Sequence, residues 1–374
     1  MQNETQRKTR LGRRGFIKAG LLGSGIAVAA AGQPQSPVQQ GGQEGDSDFG
    51  PHSGHGDGSH SAMGTVGSVH HEANGFDPHE LLNDWDFGEV SQLPSGQTLR
   101  EYSIVAVDKE IEIAPGVFFP AWVYNGRVPG PTLRAVEGDR IRIEFSNGGS
   151  HPHTIHFHGI HPASQDGVPG AGDGIIHPGE STIYEFDAFP MGCHLYHCHA
   201  LPLKRHIHKG LYGAFIVDPD PGRYSGDEAR VARSRNPNFP EYNDVNEMMM
   251  VMNGFDTNFD GDNEVYAANS IAFAYMDKPI KIRRDQLQRI YLVNITEFDP
   301  INSFHLHANF FDYYDHGTSL TPTLRTVDTI MQCQAQRGIL EFSFEDFEPG
   351  LYMFHAHQSE FAELGWMGFF DVQE

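Results

Sequence analysis

Four His-x-His pairs are the chemically richest feature of this 374-residue chain. Side chains alternate between the two faces of a β-strand, so residues separated by one position point to the same side. Neutral imidazole is a common metal ligand and suits copper well. If the strands converge, eight imidazoles would surround one copper cluster. The pairs are His156 with His158, His197 with His199, His305 with His307, and His355 with His357.

A cysteine lies between the two histidines of the second pair, and its thiolate therefore points to the opposite side of the strand. Cys198 predicts a second metal site, because a blue copper centre uses two His and one Cys with a weak axial group or none. His153 and His206 lie close to Cys198 in sequence, and Leu211 follows His206 by five residues. His208 is an alternative ligand, and the spacing to Leu211 favours His206. An axial leucine cannot donate to copper, which should raise the reduction potential.

On these motifs, from roughly Thr98 to Glu374, the chain resembles the two-domain multicopper oxidases, which are related to laccases and copper nitrite reductases. The resemblance implies one type-1 copper, which takes electrons from the substrate and passes them through the cysteine to the flanking histidines. It also implies a trinuclear cluster that reduces oxygen to water, giving four coppers per subunit. The implied ligands are His153, Cys198 and His206, with Leu211 axial, for type 1; His156 and His305 for type 2; and His158, His197, His199, His307, His355 and His357 for type 3.

The two halves of the chain also align as an internal repeat. Residues 210–215 match residues 365–370, and this match fixes the register between the halves. On that register the second half has lost every type-1 ligand, so the blue copper is expected in the first half only. The replacements are Asn302 for His153, Ala356 for Cys198, Phe361 for His206 and Trp366 for Leu211.

Composition and patterning predict an all-β protein. The chain has 42 Gly and 23 Pro, and polar and apolar residues alternate at 140–145, 182–186 and 339–344, as in half-buried strands. The resemblance implies two cupredoxin-like Greek-key β-sandwich domains. The predicted organisation is a signal peptide at 1–31, a linker at 32–97, a first domain at 98–222, a connection at 223–245 and a second domain at 246–374.

The N-terminal segment is predicted to be a twin-arginine signal peptide. Arg13 and Arg14 precede an apolar run at 19–31 that is too short to span a bilayer. We therefore expect export to the periplasm or beyond, with no membrane insertion after removal of the signal. The segment 32–97 is rich in Gly, Ser and His and predicts a mobile linker, which either captures copper loosely or is a simple spacer.

The net charge of −23 at pH 7 argues against nucleic acid or an anionic membrane as a partner. Besides Cys198, the chain has Cys193 and Cys333, which could form a disulfide or stay as buried thiols; the thiols are slightly favoured. The Met-rich run at 247–252 could bind Cu(I), but a buried strand that begins the second domain explains it better.

Oxygen reduction consumes protons, so acids near the histidines are of interest. Asp166 falls where laccases carry an acid near the cluster, and it is the leading candidate for a proton relay. A structural role, opening the tight turn before Gly167, explains it equally well. Glu360 and Glu363, just after the last histidine pair, are weaker candidates.

The leading function is a laccase-like oxidase. It would couple one-electron oxidation of phenols, aromatic amines or low-valent metal ions to four-electron reduction of oxygen. A copper nitrite reductase is the first alternative, but it needs one catalytic copper with three histidines and leaves most of the paired histidines unexplained. A non-enzymatic copper protein should lack a cluster ligand, and none is missing. A likeness to a ring of six cupredoxin domains predicts a homotrimer with clusters between subunits.

Overall fold

The computed structural model describes residues 66–374. In this range the chain is mostly β-strand and forms two cupredoxin-like halves, which confirms the predicted fold class. The predicted signal peptide and the first part of the predicted linker lie outside the described residues. None of the helices in the described range is both long and apolar enough to cross a membrane.

The first half has two sheets that enclose a hydrophobic core. Its strands are β1 (Trp85–Asp86), β2 (Glu89–Gln92), β3 (Thr98–Ala114), β4 (Val117–Tyr124), β5 (Thr132–Val136), β6 (Arg140–Asn147), β7 (His156–Phe157), β8 (Ser181–Asp187), β9 (Gly192–His197) and β10 (Tyr212–Asp218). The β9 sheet has the order β1-β5-β10-β9-β7. The β6 sheet has the order β2-β3-β6-β8, and β4 pairs with β3.

The second half repeats this plan. Its strands are β11 (Val245–Phe255), β12 (Val265–Ala268), β13 (Ile280–Arg283), β14 (Leu287–Asn294), β15 (Ile301–Leu306), β16 (Phe311–Asp315), β17 (Leu324–Val327), β18 (Thr329–Cys333), β19 (Arg337–Phe342), β20 (Gly350–His355) and β21 (Met367–Gln373). The β14 sheet has the order β12-β11-β14-β19-β16-β17. The β20 sheet has the order β13-β21-β20-β15-β18.

Helices are short and lie in the connections. They are α1 (His71–Asn74), α2 (Pro78–Leu81), α3 (Leu203–His208), α4 (Gly226–Ser234), α5 (Ala274–Asp277) and α6 (Ser359–Glu363). The predicted strands at 140–145 and 182–186 correspond to β6 and β8, and the strand predicted at 339–344 overlaps β19. In β6 the apolar residues Ile141, Ile143 and Phe145 are fully buried, as the alternation requires.

The two halves share a core along the outer face of the β9 sheet. Leu195 and Ile216 from this sheet belong to one hydrophobic cluster with Met249 and Val293 of the β14 sheet. Every residue of β9 and β10 is buried, because both faces of these strands are covered. The Met-rich run lies in β11, and its four methionines are buried, which confirms that it is a core strand.

Buried ion pairs also join the halves. Arg134 on β5 donates to Asp218 at 2.8 Å and to Glu247 on β11 at 2.5 Å. The other oxygen of Glu247 accepts from Arg289 at 2.8 Å, and Arg289 also pairs with Glu341 at 2.7 Å. Burial of such charges is tolerated only when each is paired, so these contacts fix the register of one half against the other.

The predicted linker is wrong over its C-terminal part. Residues 66–97 carry α1, α2, β1 and β2, which pack on the two halves: Phe76 and Leu81 are buried in the shared core, and β1 and β2 pair with β5 and β3. The stretch has too few apolar residues to form a core of its own, but an existing core supplies the missing partners.

The remaining cysteines are free thiols, as favoured from the sequence. Cys193 is buried on β9, whereas Cys333 is exposed at the end of β18. The expectation of burial was therefore wrong for Cys333.

Candidate metal centres

The first centre forms where β9 ends. Cys198 directly follows the strand, and its Sγ lies 3.2 Å from Nδ1 of His206 and 3.9 Å from Nδ1 of His153. The two Nδ1 atoms are 3.3 Å apart, and all three side chains are buried. Three donor atoms thus face one another at the spacing of ligands around a single ion.

Local hydrogen bonds hold this arrangement. The Cys198 backbone N–H donates to the carbonyl of Leu211 at 2.9 Å, which places the buried Leu211 beside the thiol. The backbone N–H of Thr154 donates to Cys198 Sγ at 3.3 Å. Helix α3 carries His206 to the site. His208 instead accepts from the backbone N–H of Asp256 at 3.0 Å and is not brought to Cys198.

The electrostatics of this group suit a metal ion. Burial lowers the pKa of both His153 and His206 to about 4, so both imidazoles are neutral at pH 7. Burial raises the pKa of the Cys198 thiol, and a cation would reverse that effect. The Nε2 atom of His153 is buried and has no hydrogen-bond partner within the described range. Two neutral imidazoles and one thiol fit the donor set of a blue copper site.

A second group lies on the other side of Cys198 and uses the histidines of β7 and β9. His158 Nε2 and His197 Nε2 are 2.9 Å apart, and the His156 ring lies 5.4 Å from those of His197 and His199. Burial lowers the pKa of His158 to about 2 and that of His197 to about 4, so both are neutral ligands. We call His156, His158, His197 and His199 the first half-site.

Two of these rings, those of His156 and His197, are oriented by hydrogen bonds from the outer nitrogen. His197 Nδ1 lies 2.9 Å from the carbonyl of Cys198, to which it can donate. His156 Nδ1 lies 2.9 Å from the carbonyl of Asp166 and 2.9 Å from its carboxylate. Such bonds from the outer nitrogen leave the inner nitrogen free for a metal. The backbone N–H of His199 donates to the hydroxyl of Thr154 at 2.9 Å.

The second half carries an equivalent group on β15 and β20, which we call the second half-site. His307 Nε2 and His355 Nε2 are 3.0 Å apart, and His305 Nδ1 lies 2.9 Å from the carbonyl of Asp328. The backbone N–H of His357 donates to a serine hydroxyl at 2.8 Å, as that of His199 does to a threonine. The second half-site consists of His305, His307, His355 and His357, of which His307 and His357 are exposed.

The second half keeps the backbone of the first centre but not its ligands. The backbone N–H of Ala356 donates to the carbonyl of Trp366 at 3.1 Å, matching the bond from Cys198 to Leu211. The Phe361 ring stacks on Tyr266 at 4.1 Å between centroids, and the indole N–H of Trp366 donates to a backbone carbonyl. Asn302, Ala356, Phe361 and Trp366 therefore form a packed core where the first half has donors.

The two half-sites do not meet within one chain. Each supplies three donor atoms that lie within 4.8 Å of one another, but no such group among residues 66–374 combines histidines from both halves. The face of the β20 sheet that carries His305 and His355 is open, since Met331 and Leu351 on that face are 61% and 60% exposed. A large apolar surface of this kind indicates an interface.

Of the acidic candidates, Asp166 is near the histidines and Glu360 is not. The carboxylate that contacts His156 is also 3.5 Å from Nε2 of His161, a residue that the sequence analysis did not single out. In the described chain no hydrogen bond or ion pair joins Glu360 or Glu363 to a histidine. His161 follows His158 by three residues, and that spacing was the available signal.

Two further features describe the surroundings of these centres. An open pocket of about 590 Å³ borders His161 and is lined also by Gln165, Arg140, Glu185 and Phe189. On the other side, the Trp122 ring packs on His206 at 4.8 Å between centroids. Neither feature was predicted, because both depend on residues far apart in sequence.

Two cupredoxin-like halves with a Cys-His₂ group beside clustered His-x-His pairs define a copper protein of the cupredoxin class. Two family models, both described as "Multicopper oxidase", match residues 107–222 and 237–374. The chain belongs to the multicopper oxidase family, as the sequence indicated.

Similar proteins agree with this assignment. A solved structure described as "Crystal structure of multicopper oxidase" is 56% identical, with a TM-score of 0.74; the match covers 82% of this chain and all of the other. A probable nitrite reductase-hydroxylamine oxidoreductase fusion protein from Kuenenia stuttgartiensis is 31% identical over 279 residues, or 71% of this chain. The match covers 30% of that relative's length, and the nitrite reductase match from Neisseria meningitidis also covers 30%. A copper nitrite reductase from Nitrosomonas europaea, 21% identical with a TM-score of 0.61 over 74% of this chain and 94% of the other, shares the fold.

Proposed function

We propose that this chain is a laccase-like oxidase. It couples one-electron oxidation of phenols, aromatic amines or low-valent metal ions to the four-electron reduction of oxygen to water. The observation that carries the proposal is the juxtaposition on one strand end of a Cys-His₂ group and four further imidazoles, with four more on the second half. A protein that only stored electrons at one copper would not need the second set.

The residues divide into two metal-holding sets. His153, Cys198 and His206 would hold the type-1 copper, with Leu211 as a non-donating axial neighbour. Bound copper would supply one-electron redox chemistry at the first set and oxygen reduction at the second. Burial lowers the pKa of His153, His158, His197 and His206 and keeps these imidazoles neutral. Hydrogen bonds from the outer nitrogen orient His156, His197 and His305. The second set comprises His156 and His305 as type-2 ligands, and His158, His197, His199, His307, His355 and His357 as type-3 ligands.

Asp166 is proposed to hold and pass protons. Its carboxylate lies between His156 at 2.9 Å and His161 at 3.5 Å, and the Asp166 side chain is itself 31% exposed to solvent. A carboxylate at hydrogen-bond distance from a ring nitrogen also orients that ring. Glu360 lacks such a contact and is not part of this proposal.

The complete cluster is proposed to form between subunits of a homotrimer. The first half-site of one chain would meet the second half-site of the next, and this head-to-tail contact closes into a ring with cyclic symmetry. Support comes from the separation of the half-sites within one chain and from the open apolar face of the β20 sheet. Four coppers per subunit follow from this arrangement.

Copper nitrite reduction is the second candidate, because several relatives carry that name. Such an enzyme would use one catalytic copper with three histidines. Five of the eight histidines in the two half-sites would then have no role. The export route is likewise a proposal: Arg13 and Arg14 lie outside the described residues, and their pattern predicts twin-arginine transport to the periplasm or beyond.

One set of measurements tests the proposed function. The copper-loaded protein should show strong blue absorption with a shoulder from a coupled copper pair. It should consume one oxygen per four electrons taken from a phenol or a ferrous salt. The same preparation should reduce nitrite slowly or not at all. Blue absorption with nitrite reduction and no oxygen uptake would establish the second candidate instead.

A further inference from the structure

An indole covers the histidines of the Cys-His₂ group. The Trp122 ring centroid is 4.8 Å from that of His206 and 5.4 Å from that of His153. His206 is 2% exposed and Trp122 is 6% exposed, so both are almost closed off from water. A reductant that approaches this face has little direct access to the imidazole and meets the aromatic layer above it.

The layer above Trp122 is cationic. The guanidinium of Arg205 lies 5.3 Å from the indole centroid, and the His151 ring packs against the same indole in a tilted arrangement, 4.5 Å between centroids. Arg205 and its neighbour Lys204 are exposed, and neither forms an ion pair within the described chain. Asp108, whose charge acts on His153, accepts a hydrogen bond from the Ser150 backbone at 2.8 Å.

This local charge is opposite to that of the whole molecule. A chain with a net charge of −23 repels anions at long range, so the unpaired guanidinium of Arg205 over Trp122 is what favours an anionic ligand there. The ammonium of its neighbour Lys204 lies over the Phe298 ring instead. A guanidinium stacked on an indole offers one flat face to an aromatic ring and donors to a carboxylate or sulfonate.

We propose that Trp122 is the residue through which electrons reach the Cys-His₂ group, and that Arg205 selects anionic one-electron donors, such as aromatic carboxylates. The proposal rests on the proposed function, because it assumes a blue copper at Cys198. Each donor loses one electron and one Cu(II) becomes Cu(I). Four such transfers supply the four electrons which, together with four protons from solvent, convert oxygen to two waters. A proton released by a phenolic donor goes to solvent.

A binding experiment on the copper-free protein tests donor selection without turnover. The three tryptophans give three indole N–H signals in an NMR spectrum, and Trp122→Phe identifies the signal of Trp122. Benzenesulfonate should shift that signal, whereas phenyltrimethylammonium, a cation of similar size, should not. Arg205→Glu should weaken benzenesulfonate binding about tenfold, because reversing a nearby charge changes the interaction twice over. The same reversal at exposed Arg230 on α4 should leave binding unchanged. If both probes shift the Trp122 signal equally, or if Arg205→Glu leaves benzenesulfonate binding unchanged, Arg205 does not select anionic donors.

Anaerobic bleaching of the blue band tests the path itself. Trp122→Leu should slow reduction by hexacyanoferrate(II) and by neutral hydroquinone at least tenfold, and Trp122→Phe should slow it less. The reduction potential is measured alongside, so that a change in driving force is not mistaken for a change in path. Faster reduction in Trp122→Leu would show direct transfer to the His206 edge and would overturn the proposal. If the wild type has no blue band, the proposed function fails while the binding experiment still reports on Arg205.

Discussion

Cys198 lies between the two proposed metal sites, because adjacent residues at the end of a strand point in opposite directions. Its sulfur faces His153 and His206, whereas its neighbours His197 and His199 belong to the first half-site. His197 also contacts the carbonyl of Cys198 at 2.9 Å. The covalent and hydrogen-bonded path between the two sets is therefore only one or two residues long.

Replacing Cys198 with Ser should remove the blue colour and abolish substrate oxidation, because only the thiolate supplies the intense charge-transfer band. The first half-site should keep its copper, since its ligands are separate side chains. Absorption spectroscopy, copper analysis and oxygen uptake measure these effects. A blue colour that survives the substitution would show that the type-1 ligand is another residue.

Replacing Leu211 with Met should leave the protein blue and lower the reduction potential of the type-1 copper. Leucine has no donor atom, whereas a thioether stabilises Cu(II) as a weak axial ligand. Redox titration of the blue band measures the potential. Leu211→Ile is the matched control, because it changes shape without adding a donor. A potential that rises in Leu211→Met would mean that another group occupies the axial position.

At this scale the sequence predicted most of the site. The donor set of a blue copper centre and the resemblance to multicopper oxidases grouped His153, Cys198 and His206. Cys198 and His206 are close in sequence, whereas His153 lies 45 residues before Cys198. Asp166 was one of two open interpretations. Trp122 and His161 were missed, because their contacts depend on how loops and strands from distant parts of the chain pack.

At the scale of elements, strands β5, β10 and β11 depend on charges buried between the two halves. Replacing Arg134 with Met would leave Asp218 and Glu247 short of a partner in a site without water. The free energy of unfolding should fall by about 3 to 5 kcal/mol. Arg142→Met is the control: Arg142 pairs with Glu101 and Glu185 at a partly exposed position, where solvent screens the charges, so the loss should be much smaller. Denaturant titration of both variants measures the difference.

His194 on β9 should make the copper-free protein less stable in acid. Burial lowers its pKa from 6.5 to about 4 in the folded chain. Below pH 6.5 the His194 imidazole becomes protonated in the unfolded chain, whereas in the folded chain it stays neutral until the pH approaches 4. The contribution of neutral His194 to the free energy of unfolding is therefore fully present above pH 6.5 and is lost as the pH falls toward 4.

The difference between the pKa of His194 in the unfolded and folded chains corresponds to a loss of about 3 kcal/mol in the free energy of unfolding. His194→Gln should lose correspondingly less stability than the wild type between pH 7 and pH 4, because the amide does not titrate. His177→Gln, at an exposed position, should behave like the wild type. Identical pH profiles for the wild type and His194→Gln would show that His194 is accessible to protons in the folded state.

Elements with a regular pattern were predictable and those without one were not. The alternation at 140–145 identified β6, because one face of that strand is buried and the other is not. Strands β1 and β2 have two and four residues, which is too short for a pattern. They form because they pair with the edges of β5 and β3. The availability of those edges depends on the folded sheets and cannot be inferred from the sequence of β1 or β2 themselves.

At the scale of the whole molecule, mixing two inactive variants tests the trimer. One variant lacks His156 and His158, and the other lacks His355 and His357. If clusters form between subunits, mixed trimers contain some contacts where two intact half-sites meet. Oxygen consumption should then return after the variants are dissociated and reassembled together, with the intact first half supplying the type-1 copper.

Each variant reassembled alone is the control and should stay inactive. If the cluster is built within one chain, every cluster in the mixture is broken and no activity returns. Sedimentation of the wild type should show three chains. Full activity from a dilute sample shown to be monomeric would exclude the trimer.

The matching backbone bonds of the two halves have a consequence for the history of the fold. Ala356 and Trp366 keep the same main-chain bond as Cys198 and Leu211, and Ser303 supports His357 as Thr154 supports His199. A duplicated domain can therefore lose its type-1 ligands through a few side-chain substitutions while its backbone hydrogen bonds stay the same. Proteins descended from one duplicated domain could keep the Cys-His₂ ligands in either half. The half that has them would show which copy of the domain lost its ligands.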